Sequence, residues 1–246
     1  MMRVLLWNCN NGINKPQQIS YFQSFKTDLA IIPGLKEANL DALKATSAIW
    51  VTNNHSNAKP KGMGVLGFNG TLVTQLETDE DMEIFLPVKV TTSKIEFTLL
   101  AVWNFYWACK QGRFKGVKGD EALEYAALRH YLPQLESPSL IIGDWNLGPT
   151  FSQKAFIKIC EMVGNHDFRS LYHLFFGLDE TETQHSTFKS TRNTYHHLDQ
   201  VFGCRFFQKH LNSISIQAIE DVVLSDHAPI CVDFDLSANA TNAIQM

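Results

Sequence analysis

Leu140-Ile141-Ile142-Gly143-Asp144-Trp145-Asn146 is an apolar run that ends in a polar tip. A carboxylate just past a buried strand is held by rigid backbone and opens onto the rim of a sheet, where a substrate can reach it. Gly143 allows a tight turn, Asp144 offers a base or a hard ligand, and Asn146 follows two positions later on the same side. The pattern returns in His196-His197-Leu198-Asp199-Gln200-Val201-Phe202 and in Leu224-Ser225-Asp226-His227-Ala228-Pro229-Ile230. One such tip is ordinary. Three, with a His and an Asn among them, point to metal-assisted hydrolysis.

Strand-like runs recur outward from that stretch. They cover 4–7, 29–32, 48–52, 64–68, 84–91, 96–103, 139–143, 197–202, 214–217 and 228–234. Helical spacing appears between them. Asp120 to Leu132 starts on an N-cap type Asp and stops before Pro133, and Ser152 to Val163 has Gly164 after it as a C-cap. Weaker patterns cover Ile19 to Phe25 and Leu40 to Thr46. Many strands with interspersed helices predict an α/β (α+β) protein of two packed sheets flanked by helices. No repeat or linker divides the chain, so one domain over 1–236 is expected, with 237–246 as a frayed tail.

At 246 residues, 45% hydrophobic and 19% charged, the composition is that of a globular protein large enough for a full core. No stretch reaches the apolar length of a membrane span, and Val4-Leu5-Leu6-Trp7 reads as a first core strand instead of a leader. A cytoplasmic protein without membrane insertion is expected, and a monomer. Five cysteines without CxxC spacing indicate free core thiols, neither a disulfide framework nor a zinc cluster. The net charge of −4 argues against nonspecific binding to long duplex nucleic acid but leaves a nuclease open, because bound cations change the local field.

Other tips carry weaker signals. In Trp7-Asn8-Cys9-Asn10-Asn11-Gly12 the amides can donate to a phosphate oxygen or offer a carbonyl to a metal, yet Asn-Asn-Gly alone reads as a turn. Glu37, beyond the run Leu29-Ala30-Ile31-Ile32, could ligate Mg²⁺ or be a solvated surface residue. Ser225-Asp226-His227 is stronger, since adjacent Asp and His supply both a ligand and an imidazole. His55, His130, His185 and His210 receive no functional assignment.

Taken together, Asn8/Asn10, Glu37, Asp144/Asn146, Asp199 and Asp226/His227 stand in an order that resembles the endonuclease/exonuclease/phosphatase superfamily, with its deoxyribonuclease I-like fold. Lys61 to Val65, Leu99 to Trp103 and Ser170 to His173 leading through Thr187-Phe188 to Asp199 are similar to a bacterial branch of undefined substrate. The resemblance implies a four-layer α/β/β/α sandwich, with two mixed β-sheets packed face to face. It implies that Glu37 binds Mg²⁺ or Mn²⁺ with Asn10 near it, and that Asp226 completes the metal side. Asn8 and Asn146 would bind the scissile phosphate or position the nucleophile, and Asp144 would orient or deprotonate the water. His227, held by Asp199, would contact the phosphate. Asn10 and Asn104 depart from the pattern, which often has Asp and His there.

For substrate, Trp103-Asn104-Phe105-Tyr106-Trp107 offers aromatics that stack on bases or pack a strand end. Asn104 and Tyr106 are the candidates there, followed by Lys110, Arg113, Lys115 and Lys118 in a Gly-containing loop, and by Lys189 and Arg192 before Asp199. The expected activity is a metal-dependent phosphoesterase, foremost a nuclease that meets DNA or RNA transiently as substrate. Alternatives are a phosphatase or phosphodiesterase on a small molecule, inositol phosphate or lipid headgroup, and a catalytically weak binding protein of the same fold.

Overall fold

The computed structural model describes residues 1–10, 13–52, 61–82, 85–104, 113–222 and 224–236. Its elements follow in the order β1 (Met2–Leu6), α1 (Pro16–Ser24), β2 (Leu29–Leu35), α2 (Leu40–Leu43), β3 (Ser47–Thr52), β4 (Gly62–Gly67), β5 (Leu72–Gln75), β6 (Phe85–Thr91) and β7 (Glu96–Trp103). Then come α3 (Leu123–Tyr131), β8 (Ser139–Asp144), α4 (Gln153–Gly164), β9 (Arg169–Ser170), α5 (Leu171–Phe176), β10 (Phe188–Lys189) and β11 (Tyr195–His196). The order ends with β12 (Asp199–Gly203), α6 (Arg205–His210), β13 (Leu211–Ile216) and β14 (Ile230–Phe234).

Two six-stranded sheets run β13-β14-β1-β2-β4-β3 and β5-β6-β7-β8-β12-β9, with β10-β11 as a separate hairpin. Each is mixed: β1 with β2 and β7 with β8 are parallel, and their outer neighbours are antiparallel. Period-2 alternation sorts side chains between the layers. Val4, Leu6, Leu29 and Ile31 enter a core with Phe85, Val88, Leu100 and Ile141, to which α3 and α4 add Leu128, Phe156 and Ile159. Leu5, Trp7, Ala30 and Ile32 face the other way and pack with Phe22 of α1. A sheet covered on both faces needs such continuously apolar strands. The result is the expected four-layer α/β/β/α sandwich.

Register then aims the chemistry. Asp144 stands opposite Trp103 of β7 on one side and Asp199 of β12 on the other. The close β7–β8 approach needs Gly143, because a Cβ there would come 1.9 Å from the Val102 carbonyl oxygen.

Local boundaries correct several expectations. The second strand continues past Ile32 to Leu35, with a register shift between Pro33 and Leu35. Asp120 does not cap α3: it lies in a 3₁₀ turn over Gly119–Glu121, and Ala122 occupies the cap position. Gly164 is the last helical residue of α4, not its cap. The run expected over 197–202 pairs from Asp199 to Gly203, and that over 228–234 from Ile230. The described cysteines Cys9, Cys160, Cys204 and Cys231 are buried. Cys109, the tail 237–246 and the expected binding residues Tyr106 and Lys110 lie outside the described residues.

Candidate active site

Asp144, at the end of β8, is 1% exposed, and both of its oxygens accept hydrogen bonds, three for about four acceptor positions. Its Oδ2 accepts from Asn8 Nδ2 at 2.8 Å and from Asn146 Nδ2 at 3.2 Å, and its Oδ1 accepts from Asn146 N–H at 3.0 Å. Asn146 reaches back in this way because its φ is +51°, a left-handed conformation that Asn adopts more readily than most residues. The other Asn146 amide hydrogen goes to Asn104 O at 2.8 Å, so both are spent on holding Asp144 and the turn. Of the two roles expected for Asn146, positioning is the one its bonds provide, and phosphate binding is not.

His227 faces this carboxylate from the other sheet. Its Nδ1–H donates to Asp199 Oδ2 at 2.8 Å, and Nε2 lies 4.0 Å from Asp144 Oδ2 and 3.4 Å from Asn8 Nδ2. Ser225 locks it in place: the hydroxyl donates to Asn8 O at 2.7 Å and accepts from His227 N–H at 3.1 Å. Trp7 Nε1–H donates to His227 O at 3.1 Å. The Trp7-Asn8 tip and the Ser225-Asp226-His227 tip are thus one hydrogen-bonded unit.

Burial pushes the Asp144 carboxyl up to about 7, with the Asp199 charge adding to the rise and His227 opposing it. Burial alone would push the His227 imidazole down. The Asp199 and Asp144 carboxylates outweigh it and raise it to about 9. The site therefore pairs a carboxyl held above its ordinary range with an imidazole held in its cationic form. That pairing of a poised base with a fixed donor suits proton transfer.

The remaining sequence candidates divide. Lys189 and Arg192 lie in the β10–β11 hairpin, which docks on the site: Lys189 N–H donates to Asp226 O, and Phe188 bridges His227 with ring centroids 4.8 Å apart. Asn104, expected to contact substrate, is 0% exposed, with Nδ2 donating to Trp145 O at 3.1 Å. Arg113 is likewise taken up elsewhere, its guanidinium paired with Asp79 at 2.8 Å and near Asp81 at 3.7 Å. Lys115 and Lys118 stay exposed.

Two groups escaped the sequence reading. Thr187 Oγ1 accepts from Leu198 and Asp199 N–H, while its carbonyl accepts from Ala228 N–H, which fixes the loop before β12 to the tip after His227. Exposed Phe151 and Tyr195 flank His196, with Phe151 and His196 ring centroids 5.1 Å apart and Lys189 Nζ over Tyr195 at 5.6 Å. Only long-range pairing reveals either group; the lone signal was Thr187-Phe188 in the chain.

A resident Mg²⁺ needs near-octahedral oxygen ligands around one point. Among the described residues, the one group of three or more acids and imidazoles within ligand reach is Asp144, Asp199 and His227. It does not fit a hard cation, because an ion there would have to break the Asp199–His227 bond and displace the donors on Asp144. Glu37 is exposed at the start of a 3₁₀ turn, Asn10 is exposed, and Asp226 is half-buried; none of them joins the group.

The chain matches no protein-family model, and no curated protein matches it in sequence. Solved structures do resemble it. The endonuclease domain of TRAS1, a telomere-specific non-LTR retrotransposon, superposes with TM-score 0.66 at 14% identity, over 96% of this chain and 98% of that one. An AP endonuclease from Archaeoglobus fulgidus gives 0.65 at 13%, over 96% and 100%. The 3′ phosphatase NExo from Neisseria, bound to product DNA hairpin, gives 0.65 at 12%, over 96% and 100%. The chain has the deoxyribonuclease I-like fold of endonuclease/exonuclease/phosphatase proteins.

Proposed function

We propose that the chain is a phosphoesterase that hydrolyses phosphodiester bonds in DNA or RNA by attack of water, with a divalent cation, Mg²⁺ or Mn²⁺, assisting. The observation that carries this reading is the buried array Asn8–Asp144···His227–Asp199 at the joined ends of the two sheets. In-line hydrolysis of a phosphate anion needs a positioned base, a donor to the nonbridging oxygens and charge relief. Ionised Asp144 accepts the proton of water as its oxygen bonds to phosphorus and the bond from phosphorus to the leaving sugar oxygen breaks, that oxygen taking a proton from solvent. Cationic His227 donates through Nε2 to a phosphate oxygen, and Asp199 holds the ring through Nδ1. Asn8 holds Asp144 with one amide hydrogen and turns the other towards His227, where a phosphate would meet it.

Nucleic acid is favoured over a small phosphoester by two supports. Fold neighbours include an endonuclease domain, an AP endonuclease and a phosphatase bound to a DNA hairpin. The exposed rings of Phe151 and Tyr195 beside Lys189 suit unpaired bases and their phosphates more than duplex, in keeping with the net charge of −4. The test is hydrolysis of bis-p-nitrophenyl phosphate and p-nitrophenyl phosphate, side by side, with Mg²⁺, Mn²⁺ and EDTA. Metal-dependent release from the diester is expected. Preference for the monoester would replace the nuclease by a phosphatase.

A further inference from the structure

The strand that should deliver a metal carboxylate does not deliver one. After Trp7, β1's backbone stays against β2, with Cys9 N–H donating to Pro33 O at 3.0 Å. Gly34 is therefore the β2 residue beside Asn8 and Asn10: a Cβ on it would lie 2.9 Å from Asn8 Oδ1 and 3.2 Å from Asn10 N. Its φ of +76° and the register shift between Pro33 and Leu35 then turn the chain away, and the Leu35 carbonyl is claimed by Trp50 Nε1 at 3.0 Å. Glu37 comes three residues later, exposed. Asn8 Oδ1, beside Gly34, already accepts from Asn10 N–H at 3.0 Å.

A hard cation with so few protein oxygens keeps most of its water and binds weakly, unless a substrate phosphate completes the shell. We propose that this chain holds no resident divalent cation: the ion enters with the phosphate of the substrate, met by Asp226, and Glu37 takes no part. Asp226 is the carboxylate next to His227 in the chain: it is half-buried, its Oδ1 lies 3.5 Å from the Ser225 hydroxyl, and its charge adds to the rise of the His227 imidazole. The inference rests on the phosphoesterase reading but is read without turnover.

The experiment is Mn²⁺ titration of the full chain followed by electron paramagnetic resonance, with Mn²⁺ alone and with thymidine 5′-monophosphate, against a nucleotide-only control. Mn²⁺ alone should leave the free-ion signal nearly unchanged, and the nucleotide should tighten retention by about tenfold or more. Glu37→Ala should match the wild type, while Asp226→Asn should lose the nucleotide-dependent retention with its melting temperature unchanged. Tight stoichiometric Mn²⁺ without nucleotide, lost in Glu37→Ala, would overturn the proposal and leave the phosphoesterase reading intact. Equal, weak retention with and without nucleotide would also overturn it. Absence of hydrolysis on every phosphoester would instead count against the phosphoesterase reading.

Discussion

His197, two residues before Asp199 in the chain, and His227, which meets Asp199 through the fold, are both almost wholly excluded from solvent, and the fold treats them in opposite ways. His197 lies against Tyr172, ring centroids 4.2 Å apart, with Nδ1–H donating to the His185 carbonyl at 2.9 Å and Nε2 without a partner. Burial pushes it down to about 4, so it stays neutral. His227 has Asp199 at 2.8 Å and Asp144 at 4.0 Å, and it rises to about 9. At an effective dielectric near 20, carboxylates at those distances contribute about 6 and about 4 kcal/mol, enough to exceed a desolvation cost of several kcal/mol. A charge partner, not burial, makes an imidazole a working cation. An aromatic shelf makes the same side chain a core residue.

The sharpest way to break that comparison is to delete the charged member. His227→Ala should lower diester turnover by about 10³-fold or more with circular dichroism unchanged. Next, Asp199→Asn keeps the shape but removes one charge: turnover should fall by about 10²-fold, and the alkaline limb of the rate profile should move to lower pH. In the wild type that profile should be a bell, rising through about 7 as Asp144 ionises and falling through about 9 as His227 loses its proton. Those limbs belong to the coupled pair more than to either residue. A rate flat from pH 6 to 10 would contradict the assignment.

Smaller effects test the other half. His197→Phe should leave turnover within about twofold. Its folded pKa is depressed from 6.5 to about 4, so its share of stability is present above 6.5 and is lost as the pH falls towards 4. Chemical denaturation across that window should show His197→Phe spared up to a loss on the order of 3 kcal/mol, 2.5 pH units at 1.36 kcal/mol each. Least of all, Lys189→Ala should raise KM for a single-stranded oligonucleotide by about threefold with kcat unchanged, as the loss of one exposed phosphate contact does.

Much of this was legible in the sequence because strand tips are local features. The apolar runs before Asp144, Asn146 and Asp199 named the sheets, and Ser225-Asp226-His227 named the imidazole. What stayed hidden depended on contacts distant in sequence. Strand β2 was expected to stop at Ile32, with Glu37 beyond it; it runs on through Pro33 to Leu35, which sets Gly34 beside Asn8. The Asn104 side chain, expected at the substrate, makes a bond to Trp145 O that pairs residues 41 positions apart. The helices Leu171–Phe176 and Arg205–His210 are too short for a 3.6-residue period to register, and β10 and β11 have two residues each. The hairpin that carries Phe188 and Tyr195 onto the site is thus held by pairing with residues near His227, not by its own pattern.

The most direct test of the central claim is cleavage of end-labelled single-stranded DNA and RNA with Mg²⁺ or Mn²⁺, wild type beside His227→Ala. Defined shorter products are expected from the wild type and none above background from the variant. Equal cleavage by the two proteins would contradict it, because the work would then be done somewhere other than the Asp144–His227–Asp199 array.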